Sequence, residues 1–136
     1  MIYITRRERF CAAHRMYRED WSDKENLKVF GKCSNPNWHG HNYVLYVTVK
    51  GDVSEEFGFF INLTTLKQII KEKIIDEVDH KNLNLEVSFM HGKIATTENL
   101  AIAIGNELKP AIEKEGAVLH CIKIGETDNN TIEYYG

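Results

Sequence analysis

The chain has 136 residues, 43% of them hydrophobic and 27% charged, with a formal net charge of −3. That length fits one domain, 1–136, able to bury roughly two-thirds of its unfolded surface without disulfides to staple it. The acidic balance and a pI near 6.1 argue against a general nucleic-acid binder, and no apolar run approaches the ~20 residues of a membrane span.

Ile2 to Phe10 is rich in β-branched and aromatic residues with polar ones between them and reads as a strand. Arg15 to Asn35 is polar and irregular, anchored only by Trp21, Leu27 and Phe30, and reads as a long connection. A second strand is expected over His39 to Lys50, ended by Gly51-Asp52. Asn62 is a plausible N-cap for a helix whose Leu63, Leu66, Ile69, Ile70 and Ile74 fall on one face, ending in the polar stretch Asp79 to Asn84. A second helix starts at Thr96 or Thr97, with Glu98 in its first turn, and carries the stripe Leu100, Ala101, Ile104 and Leu108. Pro110 is expected to kink or stop it. Ala117 to Gly125 and Thr131 to Tyr135 close the chain as strands around the turn-rich Asp128-Asn129-Asn130. The expected fold class is α+β: a four-stranded antiparallel sheet with two helices on one face, in the order β-β-α-α-β-β. Such a sheet leaves edges that invite pairing with another chain.

The chemistry concentrates in Cys33-Ser34-Asn35-Pro36-Asn37-Trp38-His39-Gly40-His41. Residues two apart on a strand point the same way, so His39 and His41 converge. A third imidazole from a neighbouring strand would complete an open zinc site with a free fourth position. The plain alternative is two surface histidines. His14 is a weaker candidate, because nothing local marks it as a ligand. His91 and His120 show no partner spacing. Cys33 has two readings: a reactive thiolate, activated by Lys32, a cation or a histidine, or a fourth ligand closing a structural site. Cys11 and Cys121 sit among apolar residues and read as small core side chains. Asp79-His80 is either a general base with its orienting carboxylate or a histidine favoured at a helix C-terminus. Adjacent side chains usually diverge, so the first reading needs a loop or another subunit. Glu126 alone reads as a solvated acid. No charged-then-apolar leader opens the sequence, so a cytoplasmic setting with free thiols is expected.

Taken together, the blocks Phe10-Cys11-Ala12-Ala13-His14-Arg15, Asn26 through Cys33, Asn35-Pro36-Asn37, His39 through Tyr43, Asp79 through Leu83, Thr96-Thr97-Glu98-Asn99 and Glu126 through Asn130 make the chain closely resemble the 6-pyruvoyl-tetrahydropterin synthase family. The resemblance runs over nearly the whole length. It implies the tunnelling fold and a homohexamer, a dimer of trimers with active sites at subunit interfaces. It implies one zinc (Zn2+) per subunit on His14, His39 and His41, with Cys33, Asp79, His80 and Glu126 as catalytic groups. Thr96, Thr97 and Glu126 would bind the pterin. The implied reaction, in tetrahydrobiopterin biosynthesis, converts 7,8-dihydroneopterin triphosphate to 6-pyruvoyl-tetrahydropterin with elimination of triphosphate. Basic residues near the mouth would meet the triphosphate together with magnesium (Mg2+); Arg15 and Lys32 are the nearest in sequence.

Trp38 departs from the eukaryotic pattern, which usually carries glycine there. The Cys33 loop is therefore expected to sit differently, or the indole to pack over the pterin or a neighbour. The nearest rival is 6-carboxy-tetrahydropterin synthase of queuosine biosynthesis, whose cysteine typically stands three residues before His-Gly-His; here the gap is five. A non-catalytic zinc-stabilised assembly module, with Cys33 as the fourth ligand, is the reading from another class.

Overall fold

A computed structural model describes residues 1–136. Strand β1 (Ile2–His14) pairs antiparallel with β2 (His39–Gly51), β2 with β4 (Val118–Thr127), and β4 with β5 (Asn130–Tyr134). A two-residue strand, β3 (Lys81–Asn82), pairs parallel with β1 at the outer edge, giving the order β3-β1-β2-β4-β5. The sheet is thus five-stranded and mixed, where four antiparallel strands were expected. Two residues carry no periodicity, which is why β3 is silent in the sequence. β1 also runs on to His14, four residues past its expected end, and β4 reaches Thr127, which puts Glu126 on a strand.

A further correction lies in the connection from Arg15 to Asn35, which contains helix α1 (Asp23–Phe30). Ser22 caps it, its hydroxyl accepting from the Glu25 N–H at 3.1 Å, and Gly31 ends it at φ 61. Its Leu27 and Val29 are exposed and its only buried residue is Asn26, so no apolar stripe announces it. Asn26 serves instead as a polar anchor: its amide brackets the Arg18 backbone, accepting at 2.8 Å and donating at 3.0 Å.

Asn62 caps α2 (Leu63–Ile70), accepting from the Thr64 N–H at 2.8 Å. The rod continues through a π turn (Lys71–Ile75) into the short α3 (Asp76–Val78). The long helix α4 (Thr97–Lys114) passes through Pro110 without stopping. Pro110 and Asn106, whose carbonyl loses its i+4 donor, both face solvent, where water can take the freed acceptor. No helix is long and apolar enough to cross a membrane.

The helices cover one sheet face. Phe10, Ala12 and His14 of β1, Tyr43, Leu45, Val47 and Val49 of β2, and Ile122 and Ile124 of β4 are buried beneath Leu66, Ile70, Ile74, Leu100, Ile104 and Leu108. Each large aliphatic contributes about 1.5–3 kcal/mol when fully buried. α4 lies close on β5 because Gly105 has no side chain: a Cβ there would sit 2.9 Å from the Tyr134 ring. The core therefore ends, at one edge of the layer, against a group of histidines.

Candidate active site

Register builds the group. His14 pairs directly with His39 across β1 and β2, and Ala12 pairs with His41. Side chains directly opposite on an antiparallel pair stand close, and period two brings His41 to the same face. The ring centroids of His14 lie 4.4 Å from His39 and 5.2 Å from His41, and those of His39 and His41 are 5.1 Å apart. A one-residue slip would turn His14 to the other face, so the sheet's hydrophobic pattern also enforces the cluster. Gly40 lets the strands approach: a Cβ there would meet the Ala12 carbonyl oxygen at 3.3 Å.

The donor atoms suit a metal ion. One ligand atom from each of His14, His39 and His41 can lie within 4.8 Å of the others. The buried nitrogens His14 Nε2, His39 Nδ1 and Nε2, and His41 Nε2 have no hydrogen-bond partner. Buried polar atoms left unpaired are costly, and three of them facing one point call for a cation. His14 Nδ1 is engaged by the Ala95 carbonyl at 2.7 Å, which leaves Nε2 as the free donor. Burial lowers the His14 pKa below its ordinary value, opposed by the Ala95 carbonyl, and burial followed by the nearby His41 charge lowers that of His39. Both rings are therefore held in the neutral form that binds metal. Cys33 is not a member of the three-donor group.

Glu126, near the end of β4, stands beside the cluster, with Oε1 3.7 Å from His41 Nε2. Its other oxygen accepts from the hydroxyl of buried Thr97, the first residue of α4. Thr96 is the N-cap, its hydroxyl accepting from the Asn99 N–H at 3.1 Å. Tyr43 continues the face of His39 and His41. Its hydroxyl is buried and unpartnered, and burial, then the charges of Glu126 and Cys33, raise its pKa well above the usual phenol value. The sequence assigns Tyr43 no role within the expected strand, although its i, i+2, i+4 spacing with the histidines is the available signal.

Cys33 lies in a 3-10 turn (Gly31–Ser34) that is bound to the two residues following His14. The Met16 N–H donates to the Cys33 carbonyl at 2.8 Å, and Arg15 Nε donates to the Ser34 carbonyl at 2.7 Å. Arg15 and Lys32 share a hollow of about 430 Å³ with Asp23, Ser34 and Pro36. Trp38 takes the positive φ itself, 68°, so the chain keeps the glycine-like turn at a cost in strain. The only other non-glycine residue with positive φ is His80, at 60°.

Asp79 and His80 gather elsewhere, around Cys11, whose side chain points to the opposite face of β1 from His14. The Cys11 N–H donates to Asp79 Oδ1 at 3.0 Å, the His80 N–H donates to the Cys11 carbonyl at 2.7 Å, and His80 Nδ1 lies 3.1 Å from Asp79 Oδ1. The unusual φ of His80 is what lets two neighbouring side chains meet. The His80 side chain is 79% exposed. Within one chain, then, the structure brings together His14, His39, His41, Glu126 and Thr97, and leaves Asp79-His80 apart from them. Cys11 is half-buried beside these polar groups, which corrects its reading as a core side chain. Cys121 is buried as expected, and all three cysteines are free.

An α+β layer whose central strands present three unpartnered imidazoles beside a carboxylate defines a small protein with a three-histidine group that could hold a metal ion. The family model described as 6-pyruvoyl tetrahydropterin synthase matches residues 3–136. A 6-pyruvoyl tetrahydrobiopterin synthase of Dictyostelium discoideum is 47% identical over 135 residues, 99% of this chain and 96% of that protein. The solved structure of Caenorhabditis elegans 6-pyruvoyl tetrahydropterin synthase superposes with a TM-score of 0.92 at 39% identity, covering 99% of this chain and 95% of that one. A 6-carboxy-5,6,7,8-tetrahydropterin synthase of Rickettsia bellii is 27% identical over 149 aligned positions, 98% of this chain and 99% of that protein. The chain belongs to the 6-pyruvoyl tetrahydropterin synthase family.

Proposed function

We propose that the protein is the enzyme that converts 7,8-dihydroneopterin triphosphate to 6-pyruvoyl-tetrahydropterin, eliminating triphosphate, as a step in tetrahydrobiopterin biosynthesis. The observation that carries this reading is the trio of buried, unpartnered imidazoles from His14, His39 and His41 next to Glu126. These three residues would hold zinc, one ion per subunit. Zinc bound there supplies a Lewis acid for the substrate's side-chain oxygens, whose adjacent C–H groups are weak acids.

Cys33 acts as a thiolate and removes a proton from the substrate side chain. Its position outside the three-donor group favours this role over that of a fourth ligand. Glu126 accepts hydrogen bonds from the pterin's donor edge, held in place by Thr97, with Thr96 at the helix cap beside them. Arg15 and Lys32 face the triphosphate, which magnesium accompanies. Asp79 orients His80, which returns and relays protons. Because this pair lies across β1 from the histidines, it serves the Cys33 of a neighbouring subunit. The exposed His80 and the open sheet edges at β3 and β5 support a homohexamer with shared sites. Three free thiols fit a reducing cytoplasm.

The test is to incubate the zinc-loaded protein with 7,8-dihydroneopterin triphosphate and identify the pterin by mass. A pyruvoyl product is expected. A carboxy product with acetaldehyde would move the protein to the queuosine branch, and no turnover with tight pterin binding would leave a binding module.

A further inference from the structure

We propose that Cys11, Asp79 and His80 form a second site, for a thiophilic divalent cation such as zinc, on the sheet face opposite the three histidines. One ligand atom from each of these residues can lie within 4.8 Å of the other two, the same convergence that marks the histidine group. The three come from two short pieces of chain. Two hydrogen bonds, one from the Cys11 N–H to the Asp79 carboxylate at 3.0 Å and one from the His80 N–H to the Cys11 carbonyl at 2.7 Å, clamp those pieces together. The left-handed backbone of His80 swings its ring back onto Asp79, so thiol, carboxylate and imidazole converge before any ion arrives.

The donor set decides the class of ion. A thiolate with an imidazole and one carboxylate selects zinc and its heavier congeners, whereas magnesium and calcium prefer sites made wholly of oxygen. Binding breaks the Cys11 S–H bond as the sulfur–metal bond forms, and the proton passes to solvent. The Cys11 N–H, with His80 and the Cys11 thiol adding to it, holds the Asp79 carboxyl below its ordinary range, so the oxygen ligand is already ionised. In a single chain the site is open, with His80 79% and Asp79 36% exposed, while His14 is almost fully buried. The histidine group therefore fills first and this site only at higher metal concentration. The consequence for turnover rests on the proposed function: an ion here engages both Asp79 and His80, removes the proton relay, and makes excess zinc inhibitory.

Protein carrying one zinc per chain is titrated with cadmium and followed by near-ultraviolet absorbance. A second equivalent should bind with a thiolate-to-cadmium band that vanishes in Cys11→Ser and persists in Cys33→Ser and Cys121→Ser. Cys11→Ala gives a second reading of the same loss with a side chain suited to the strand. Saturation at one equivalent, or a band that survives both Cys11 variants, overturns the inference. In turnover assays the midpoint for inhibition by excess zinc should rise at least about tenfold in Cys11→Ser; an unchanged midpoint overturns it as well. A protein without turnover counts against the proposed function alone, and the cadmium titration then decides the site.

Discussion

Arg15 donates from Nε to the carbonyl of Ser34 at 2.7 Å, and so ties the residue after His14 to the residue after Cys33. The distance between the metal group and the thiol is thus fixed by one side chain together with the neighbouring Met16-to-Cys33 backbone bond. Arg15→Gln should loosen the turn. A misplacement of about 1 Å costs on the order of 100-fold in rate, so kcat is expected to fall by about that factor with bound zinc unchanged. A rise in KM with kcat preserved would instead assign Arg15 to the triphosphate alone.

Trp38 holds a backbone conformation that costs a residue with a Cβ about 1–2 kcal/mol. Trp38→Gly and Trp38→Ala both remove the indole, so comparing them isolates the backbone. The glycine variant should be the more stable by about 1 kcal/mol, read from urea unfolding midpoints. Equal stabilities would mean that the positive φ is not strained.

Thr97 holds Glu126 by a hydrogen bond to a charged group, an interaction of about 1.5–3 kcal/mol. Thr97→Val should weaken pterin affinity by about tenfold or more, and Thr97→Ser should restore most of it. Binding measured by calorimetry with a pterin that does not react separates this loss from any change in turnover.

Burial depresses the pKa of His14 and His39 below 6.5 in the folded, metal-free protein. The unfolded chain then binds more protons near that pH, so the slope of stability with pH is positive. The contribution is fully present above 6.5 and is lost as pH falls through the lower folded values. Urea midpoints of the chelator-treated protein should therefore fall between about pH 8 and about pH 5, and His39→Gln should flatten that fall. A wild-type profile as flat as the variant's would contradict the neutral, buried imidazoles.

The legible part of the site was the part encoded locally. His39 and His41 share a face by strand period alone, Asn62 was visible as a cap, and the start of the long helix was visible at Thr96 or Thr97. His14 was not, because its partnership depends on the β1–β2 register, a non-local fact. Glu126 and Thr97 meet only after α4 has packed on β4, and nothing near either residue signals the other. Helix α1 carried a usable sign in Ser22 and Glu25, a capping pair at N-cap and N3. It was obscured because its apolar residues face solvent. Cys11 was misjudged from its apolar neighbours, since strand alternation sends it away from them toward Asp79 and His80.

The most direct measurement is the zinc content and turnover of Cys33→Ala beside the wild type. Three histidines holding the ion and a thiolate moving the proton predict one zinc per chain in both proteins, with turnover lost in the variant. Loss of zinc together with stability in Cys33→Ala would contradict this, and would make Cys33 a fourth ligand in a closed, structural site.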